Sequence, residues 1–344
     1  MKKIGLVGNT ALNIEKYDGQ TIKTKEIINI FDSIKKDSLF VVDTYNYTKH
    51  FFSTTTNLFK CLSKCDNIII IVSTNGKKVL FPFFYYANKI FNKNIYHIAI
   101  GSKLALELKN NKRWRKYLKS FKKNWLESFE LIEIFKDYGI NNASYFPNIK
   151  NIKVVNKNNV FSEPFSFCIF SRIQEEKGIT DAIDSIIRIN NEKGKIVAKL
   201  DLYGTIDNNY KNTLDKYLAD NGDCIKYCGC ANPYESSEII SNYYMLLFPT
   251  KYYYEGIPGT IIDSFFAHTP CISSNWKYCN ELINNNVDGI SYDFSDKNKL
   301  YESVKYAINN PNIVYMLRNN IKNKYKYYLP EKANILINDE FFNY

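Results

Sequence analysis

The sequence predicts an α/β protein built from two parallel-sheet domains, and three observations lead there. Short apolar runs of strand length alternate with amphipathic helical patterns along the chain. The alternation occurs twice, on either side of a Lys- and Asn-rich stretch, 150–159, that is poor in large apolar residues. The chain has 344 residues, long for a single core and comfortable for two. With 45% apolar and 16% aromatic residues, both cores can be large.

In the first half, residues 3–8, 39–43, 67–73 and 95–100 read as strands with helical patterns between them. Residues 103–125 read as one basic amphipathic helix. Leu104, Leu108, Trp114, Leu118, Phe121 and Trp125 recur at three- and four-residue steps beside nine basic residues and one acid, Glu107. In the second half, 165–170, 199–203, 225–227, 246–249 and 271–273 read as strands, and the segment from Pro330 reads as a last helix. The division this gives is 1–155, 156–329 and 330–344. Cys224, Cys228 and Cys230 form the densest of the cysteine spacings, but strand alternation sends Cys224, Tyr227 and Cys230 to no common face and two-and-two ligand spacing is missing. Reduced buried thiols are expected there, and no metal.

Two strand-to-helix loops carry the chemistry. The strand 246–249 is followed by Glu255-Gly256-Ile257-Pro258-Gly259-Thr260 and then by a helix with Ile261, Ile262, Phe265 and Phe266 on its apolar face and Asp263 among them. Proline suits a helix's first turn, and the amides of Gly259 and Thr260 would point outward at its positive end, which binds phosphate without a metal. The plain alternative is two solvated carboxylates around an ordinary helix start. Upstream, the strand 165–170 runs into Ser171-Arg172-Ile-Gln-Glu-Glu-Lys177-Gly178 and a helix with Ile179, Ala182, Ile183 and Ile186. Arg172 offers a planar fork and Lys177 a point charge, so together they can hold a diphosphate. Ligands of open α/β sheets gather at loops of this kind.

At these residues the chain resembles the retaining glycosyltransferases of family 4, in their polysaccharide-biosynthesis branch. The resemblance covers most of the chain. Phe170-Ser-Arg-Ile-Gln-Glu-Glu-Lys-Gly-Ile179 is similar to that family's diphosphate loop, and Tyr254-Glu-Gly-Ile-Pro-Gly-Thr-Ile-Ile-Asp-Ser264 to its Glu-x7-Glu motif. Pro270–Ser274 and Glu281–Gly289 resemble the segments that follow. Asp18-Gly-Gln-Thr-Ile-Lys23, Tyr96-His-Ile-Ala-Ile-Gly101 and Tyr145-Phe-Pro-Asn-Ile149 resemble elements of the first domain. The resemblance implies the GT-B architecture, two Rossmann-like domains facing across a cleft. It makes 1–155 the acceptor-binding domain, 156–329 the nucleotide-sugar domain, and 330–344 a helix packing back on the first.

Carried over residue by residue, the resemblance gives Arg172 and Lys177 the donor diphosphate and Glu255 the hydroxyls of the donor sugar. Gly256, Ile257, Gly259 and Thr260 receive the sugar and β-phosphate through their amides, and Asp263 the ribose diol. Asp263 is one methylene shorter than the family's usual Glu, and Pro258 lacks an amide that some relatives use. Gly19 would let backbone approach the diphosphate, with a plain turn glycine as the alternative. His97 would reach the sugar or acceptor, with a core histidine beside Ile98 and Ile100 as the alternative.

The expected activity is therefore transfer, with retention, of a sugar from a UDP- or GDP-linked donor to a glycan or lipid-diphosphate-linked acceptor in surface polysaccharide assembly. No cofactor is called for. No Asp-x-Asp triplet advertises a metal-diphosphate clamp, so Arg172, Lys177 and the helix amides would carry the leaving group's charge. The net charge of +11 and the basic stretch 103–125 suit a contact with an anionic membrane. No apolar run approaches the roughly 20 residues of a membrane span, and Met1–Gly8 runs into a strand instead of a signal peptide's apolar region, so a cytoplasmic enzyme at the inner face of the plasma membrane is expected. Two other classes compete: a nucleotide-sugar epimerase of the same architecture, whose acid and base residues are not evident here, and a basic nucleic-acid-binding protein, which leaves the loop around Glu255 without purpose.

Overall fold

The computed structural model describes residues 3–11, 19–100, 103–157, 159–293, 295–296 and 298–342. Asp18 of the expected glycine loop, Gly101 and Asn158 of the expected linker lie outside them. The chain forms two compact units, one made of 1–150 with 328–344 and one of 151–327. The first runs β1 (Lys3–Gly8), α1 (Gly19–Ile34), β2 (Leu39–Asp43), α2 (Phe51–Lys64), β3 (Cys65–Ile71), α3 (Thr74–Phe91), β4 (Asn94–Ile98), α4 (Leu104–Asn110), α5 (Lys112–Ser120), β5 (Lys123–Leu126), α6 (Phe129–Asp137) and β6 (Ala143–Tyr145). The second runs β7 (Phe165–Phe170), α7 (Ile179–Lys193), β8 (Ala198–Tyr203), α8 (Lys211–Asn221), β9 (Ile225–Tyr227), α9 (Ser236–Ile240), β10 (Met245–Phe248), α10 (Gly259–Phe266), β11 (Cys271–Ser274), α11 (Cys279–Leu282), β12 (Ile290–Tyr292), α12 (Asn298–Asn309) and α13 (Pro311–Ile321). A last helix, α14 (Pro330–Phe341), belongs to the first unit. Among the described residues no helix is long and apolar enough to cross a membrane.

The first unit's sheet has the order β2-β1-β3-β4-β5-β6 and is parallel throughout. Parallel strands need crossover helices that cover the sheet faces, so the inner strands are apolar without alternation, as in Ile68 to Ile71 of β3. One face packs Ile27 and Phe31 of α1 against Ile69, Tyr96 and Trp125. Ala333, Ile337 and Phe341 of α14, at four-residue steps, close the same cluster. The Tyr96 hydroxyl donates to Glu340 Oε1 at 3.0 Å, and Lys123 pairs with the other oxygen of that carboxylate.

Residues 103–125 depart from the single helix their spacing suggested. Asn111 is extended at φ −136° and its side chain caps a new helix by accepting from the Arg113 amide at 3.0 Å. Beyond Phe121 the chain becomes β5, entered through Lys122 N–H donating to Ile95 O at 2.7 Å. Sheet pairing overrides the local helical spacing. Leu104, Leu108, Trp114, Leu118, Phe121 and Trp125 are all buried, so the apolar stripe is core and the lysines of α4 and α5 face outward.

The second unit's sheet has the order β12-β11-β10-β7-β8-β9, again parallel throughout. The chain starts in the middle at β7, proceeds to one edge through β8 and β9, then returns to the other side of β7 at β10. The strand order therefore reverses between β7 and β10, the doubly wound arrangement whose ligands bind at that switch. Ile179, Ile183 and Ile186 of α7 pack on Phe167, Ile169, Leu200 and Leu247. Arg318 of α13 donates to Tyr244 O at 3.0 Å and to His268 O at 3.2 Å, tying the last long helix of the unit to the start of β10.

Candidate active site

β7 and β10 pair directly, Phe167 opposite Met245, so the loops beyond their carboxyl ends, 171–178 and 249–258, lie side by side. The first loop is pinned at its start. Ser171 N–H donates to Tyr203 O at 3.0 Å, Ile173 N–H to Thr205 O at 2.9 Å, and Asp207 N–H to Ile173 O at 3.0 Å. Gly204, at φ +141°, lies so close that a Cβ there would sit 1.8 Å from Ser171 O. Arg172 thus has a fixed backbone between two anchored neighbours while its side chain is exposed.

The loop then makes one 3₁₀ turn, Glu175–Lys177, and enters α7 through Gly178 at φ +70°. A Cβ on Gly178 would meet Pro249 O at 1.9 Å, so the first loop rests on the backbone of the second. Lys251 N–H donates to Glu176 O at 2.9 Å and completes that junction.

This contact brings one predicted residue of each loop together, Lys177 and Glu255, while among the described residues Arg172 makes no hydrogen bond or ion pair with the second loop. Lys177 forms an ion pair with Glu255, the two side chains 22% and 17% exposed. The Thr250 hydroxyl donates to the same Glu255 oxygen at 3.2 Å, and Lys177 also lies 5.8 Å from the Phe248 ring centroid. A second ion cluster, not foreseen from the sequence, stands beside it: Lys251 pairs with Glu175, and with Asp181 at 3.0 Å. Partial burial works against the Lys251 ammonium, but its bonds to Glu175 and Asp181 outweigh that and hold its pKa above the ordinary lysine value. The sequence signal for Lys251 was its position at the end of a strand, one residue from Thr250.

Pro258 is the N-cap of α10 with ψ 126°, one position earlier than the first turn expected for it, and Gly259 is the first helical residue. The first amides of an α-helix have no intrahelical acceptor, so those of Gly259 and Thr260 stand at the positive end of α10. Gly256 is fixed through its carbonyl, which accepts from Trp276 Nε1–H at 3.1 Å, and Ile257 is buried. Asp263, one turn into α10, is only 6% exposed. A cavity of about 180 Å³ lies at the carboxyl ends of β10 to β12, with Asp181, Thr250, Lys251, Ser274 and Tyr292 in its wall. The arrangement is an electropositive helix end and two lysines facing carboxylates, suited to a ligand with both phosphate and hydroxyl groups.

The first unit holds the two remaining predicted residues. Gly19 is the exposed first residue of α1, and a Cβ there would meet nothing within 4 Å. His97 lies in β4 with no exposed surface, edge-on to Phe81 with ring centroids 5.0 Å apart. Burial first, and Lys77 next, hold its pKa well below the ordinary histidine value. Beyond the carboxyl ends of β1, β3, β4 and β5 stand two largely buried ion pairs that the residue pattern did not reveal. Lys23 of α1 pairs with Glu127 and donates to Ala99 O at 3.4 Å. Lys77 of α3, 1% exposed, stands 3.5 Å from Glu107.

Comparison with known proteins agrees with this architecture. The family described as "Glycosyl transferases group 1" matches residues 151–326, all but the last residue of the unit that carries the two loops. Among solved structures, Anabaena Alr3699/HepE in complex with UDP-glucose is similar with a TM-score of 0.72 at 13% identity, covering 99% of each chain. Sucrose-phosphate synthase from Thermosynechococcus elongatus reaches 0.76 at 12% identity, covering 99% of this chain and 98% of its own. The lipopolysaccharide outer core galactosyltransferase WaaB, in its apo form, reaches 0.67 at 15% identity over 99% of each chain. At such identities the likeness is one of fold, and it is the GT-B fold. No curated protein sequence matches the chain.

Proposed function

The chain belongs to the glycosyl transferases of group 1, and from that premise we propose that it moves a sugar from a UDP- or GDP-linked donor, with retention of anomeric configuration, to a glycan or lipid-diphosphate-linked acceptor in surface polysaccharide assembly. The observation that carries this reading is the junction of the two loops. Lys177 pairs with Glu255 at the switch point of the sheet, and Glu255 stands four residues before the first residue of α10, Gly259. The UDP-glucose in the Anabaena structure of the same fold supports a uridine nucleotide.

In this reading Arg172, Lys177 and the amides of Gly259 and Thr260 take the diphosphate and stabilise the charge that grows on it as the glycosidic bond breaks. Preorganised donors aimed at developing charge supply most of the rate in such reactions. Glu255 holds the donor sugar's hydroxyls, Gly256 and Ile257 line the sugar through their backbone, and Asp263 takes the ribose. No enzymic nucleophile is needed: the leaving phosphate oxygen accepts the acceptor's proton on the face from which it departs. Gly19 acts from the acceptor side, through close backbone approach to the phosphates, whereas His97, with no exposed surface and its ring against Phe81, fits the core histidine named as the alternative. The exposed lysines of α4 and α5 draw an anionic acceptor or bilayer toward the first unit.

The test is to incubate the protein with UDP-glucose, UDP-N-acetylglucosamine and a GDP-sugar, each with and without acceptor extracts, and to follow the nucleotide released and the anomer formed. Acceptor-dependent release with an α-linked product from an α-linked donor is expected. An epimerised sugar nucleotide, or an inverted product, overturns the reading.

A further inference from the structure

We propose that the first unit docks on an anionic bilayer through an aromatic face formed by α2 and α3 and bordered by the basic helix α5. The face is periodic. On α3, Val79, Phe83, Tyr86 and Ile90 fall at steps of four, three and four residues, one side of a helix. Val79 is 51% exposed, Tyr86 58% and Ile90 81%. On α2, Phe52 is 85% exposed and Phe59, seven residues on, is 50% exposed. Phe59 meets Phe83 edge-on at 5.8 Å, which joins the two helices into one continuous surface. Single exposed apolar side chains are ordinary on a soluble protein, but a contiguous aligned set marks an interaction surface.

Charge decides the occupant. Lys60 of α2 and Lys78 and Lys89 of α3 are exposed and adjoin Phe59, Val79 and Ile90 in the chain, and Lys64, at the end of α2, lies over the Phe40 ring at 5.9 Å. Lys89 lies over the rings of Tyr85 and Tyr86 at 5.3 and 5.7 Å, and Lys116 of α5 lies over Tyr85 at 5.3 Å. The only acidic residue between Asp43 and Glu107 is Asp66, and Lys93 already pairs with it. Aromatic side chains with lysines and almost no acid are what a headgroup region of negative charge accommodates: rings enter the acyl boundary while ammonium groups stay with the phosphates. A second copy of this chain would bring the same positive rim against itself, so self-association is disfavoured. The inference extends the membrane contact of the proposed function and depends on that reading only for the acceptor such docking would reach.

The experiment is flotation of the full chain with vesicles of phosphatidylcholine alone and of phosphatidylcholine with phosphatidylglycerol in equal parts. Wild type is expected to float with the anionic vesicles at low salt. Phe52→Ser with Ile90→Ser should lower that binding by about tenfold or more, while Lys60→Gln, Lys64→Gln, Lys78→Gln and Lys89→Gln together should reduce it to the level of neutral vesicles. Phe52→Trp gives a local reporter, because the native Trp114, Trp125 and Trp276 are buried. Its fluorescence should be quenched by brominated acyl chains, and that of wild type should not. Binding unchanged in the serine variant, with its melting curve intact, overturns the inference, as does a dimer in sedimentation that the serine variant abolishes. Wild type that binds a nucleotide sugar but floats with neither kind of vesicle sinks this inference alone, whereas wild type that floats with anionic vesicles but binds no nucleotide sugar sinks the proposed activity and leaves the docking surface standing.

Discussion

Glu255→Gln separates the two jobs the proposed site assigns to one carboxylate. In the resting chain Glu255 neutralises Lys177 and accepts from the Thr250 hydroxyl at 3.2 Å. Both ion-pair side chains are less than a third exposed, so solvent screens the pair only in part. Glutamine keeps the shape and an acceptor oxygen for Thr250, so the stability lost is that of the charge alone, about 1 kcal/mol. For a unit of this size that is a fall of about 2–4 °C in melting temperature. Binding of UDP should move the other way. Lys177 is released from its carboxylate and free to face phosphate, so calorimetry should show affinity equal to wild type or tighter by about tenfold or less. Turnover should fall by roughly 10²- to 10³-fold, the usual cost of removing one preorganised group from developing charge. Lys177→Ala gives the complementary pattern, with UDP affinity and turnover both reduced. The assays are differential scanning calorimetry, titration calorimetry with UDP, and release of UDP from the donor. Turnover of Glu255→Gln within about threefold of wild type refutes the assignment, and UDP binding weakened as much as in Lys177→Ala refutes the claim that the carboxylate competes with phosphate.

Gly178→Ala puts a methyl group 1.9 Å from Pro249 O at a backbone of φ +70°, so a loss of about 2–4 kcal/mol in unfolding by urea, or an insoluble product, is expected. Gly19→Ala is sterically free in the chain itself and should melt at the wild-type temperature; if it also keeps full turnover, the close approach of donor phosphate to Gly19 is wrong. His97 has a folded pKa well below its unfolded value because burial disfavours the imidazolium. The unfolded chain therefore takes up a proton that the folded one refuses, and stability is lost as pH falls through about 6.5, by roughly 1.4 kcal/mol per pH unit for this group. His97→Gln should flatten that slope in denaturation curves at pH 5 to 7, and an unchanged slope assigns the proton uptake elsewhere. Arg172→Ala should leave melting unaltered, since the side chain is exposed, while reducing turnover by about 10²-fold; equal turnover removes Arg172 from the diphosphate.

Much of the architecture was legible because a parallel sheet writes itself as apolar runs. Residues 3–8, 39–43, 165–170 and 225–227 are strands at the bounds their composition suggested. β5 was not legible: Lys122 and Lys123 with Phe121 and Trp125 fit a helical period as well as an extended one, and only pairing with β4 decides between them. β6 and β12, three residues each, are too short to carry a period. In the site, loop residues could be named from type and spacing, but their meeting could not. It follows from β10 joining β7 after β8 and β9 have gone the other way, which no local pattern records. The buried pair of Lys23 with Glu127, 104 residues apart, was invisible for the same reason.

The loop junction also explains why this site can exist before any ligand arrives. Its contacts are between backbones: Gly178 against Pro249 O, Lys251 N–H to Glu176 O, Gly204 against Ser171 O. Such contacts do not depend on the charges they position, so Arg172, Lys177 and the amino end of α10 can be held in register without a counterion. The lysine nearest the centre is nonetheless not bare, because Glu255 occupies it. A bare phosphate must displace that carboxylate and offers nothing to Glu255 in return. A sugar diphosphate brings hydroxyls that Glu255 can accept from while Lys177 turns to the phosphate, so each partner is satisfied by a different part of one ligand. On this argument the ion pair is a specificity device. Inorganic phosphate and pyrophosphate should inhibit wild type weakly and Glu255→Gln more strongly, and inhibition constants that do not change between the two would dispose of it.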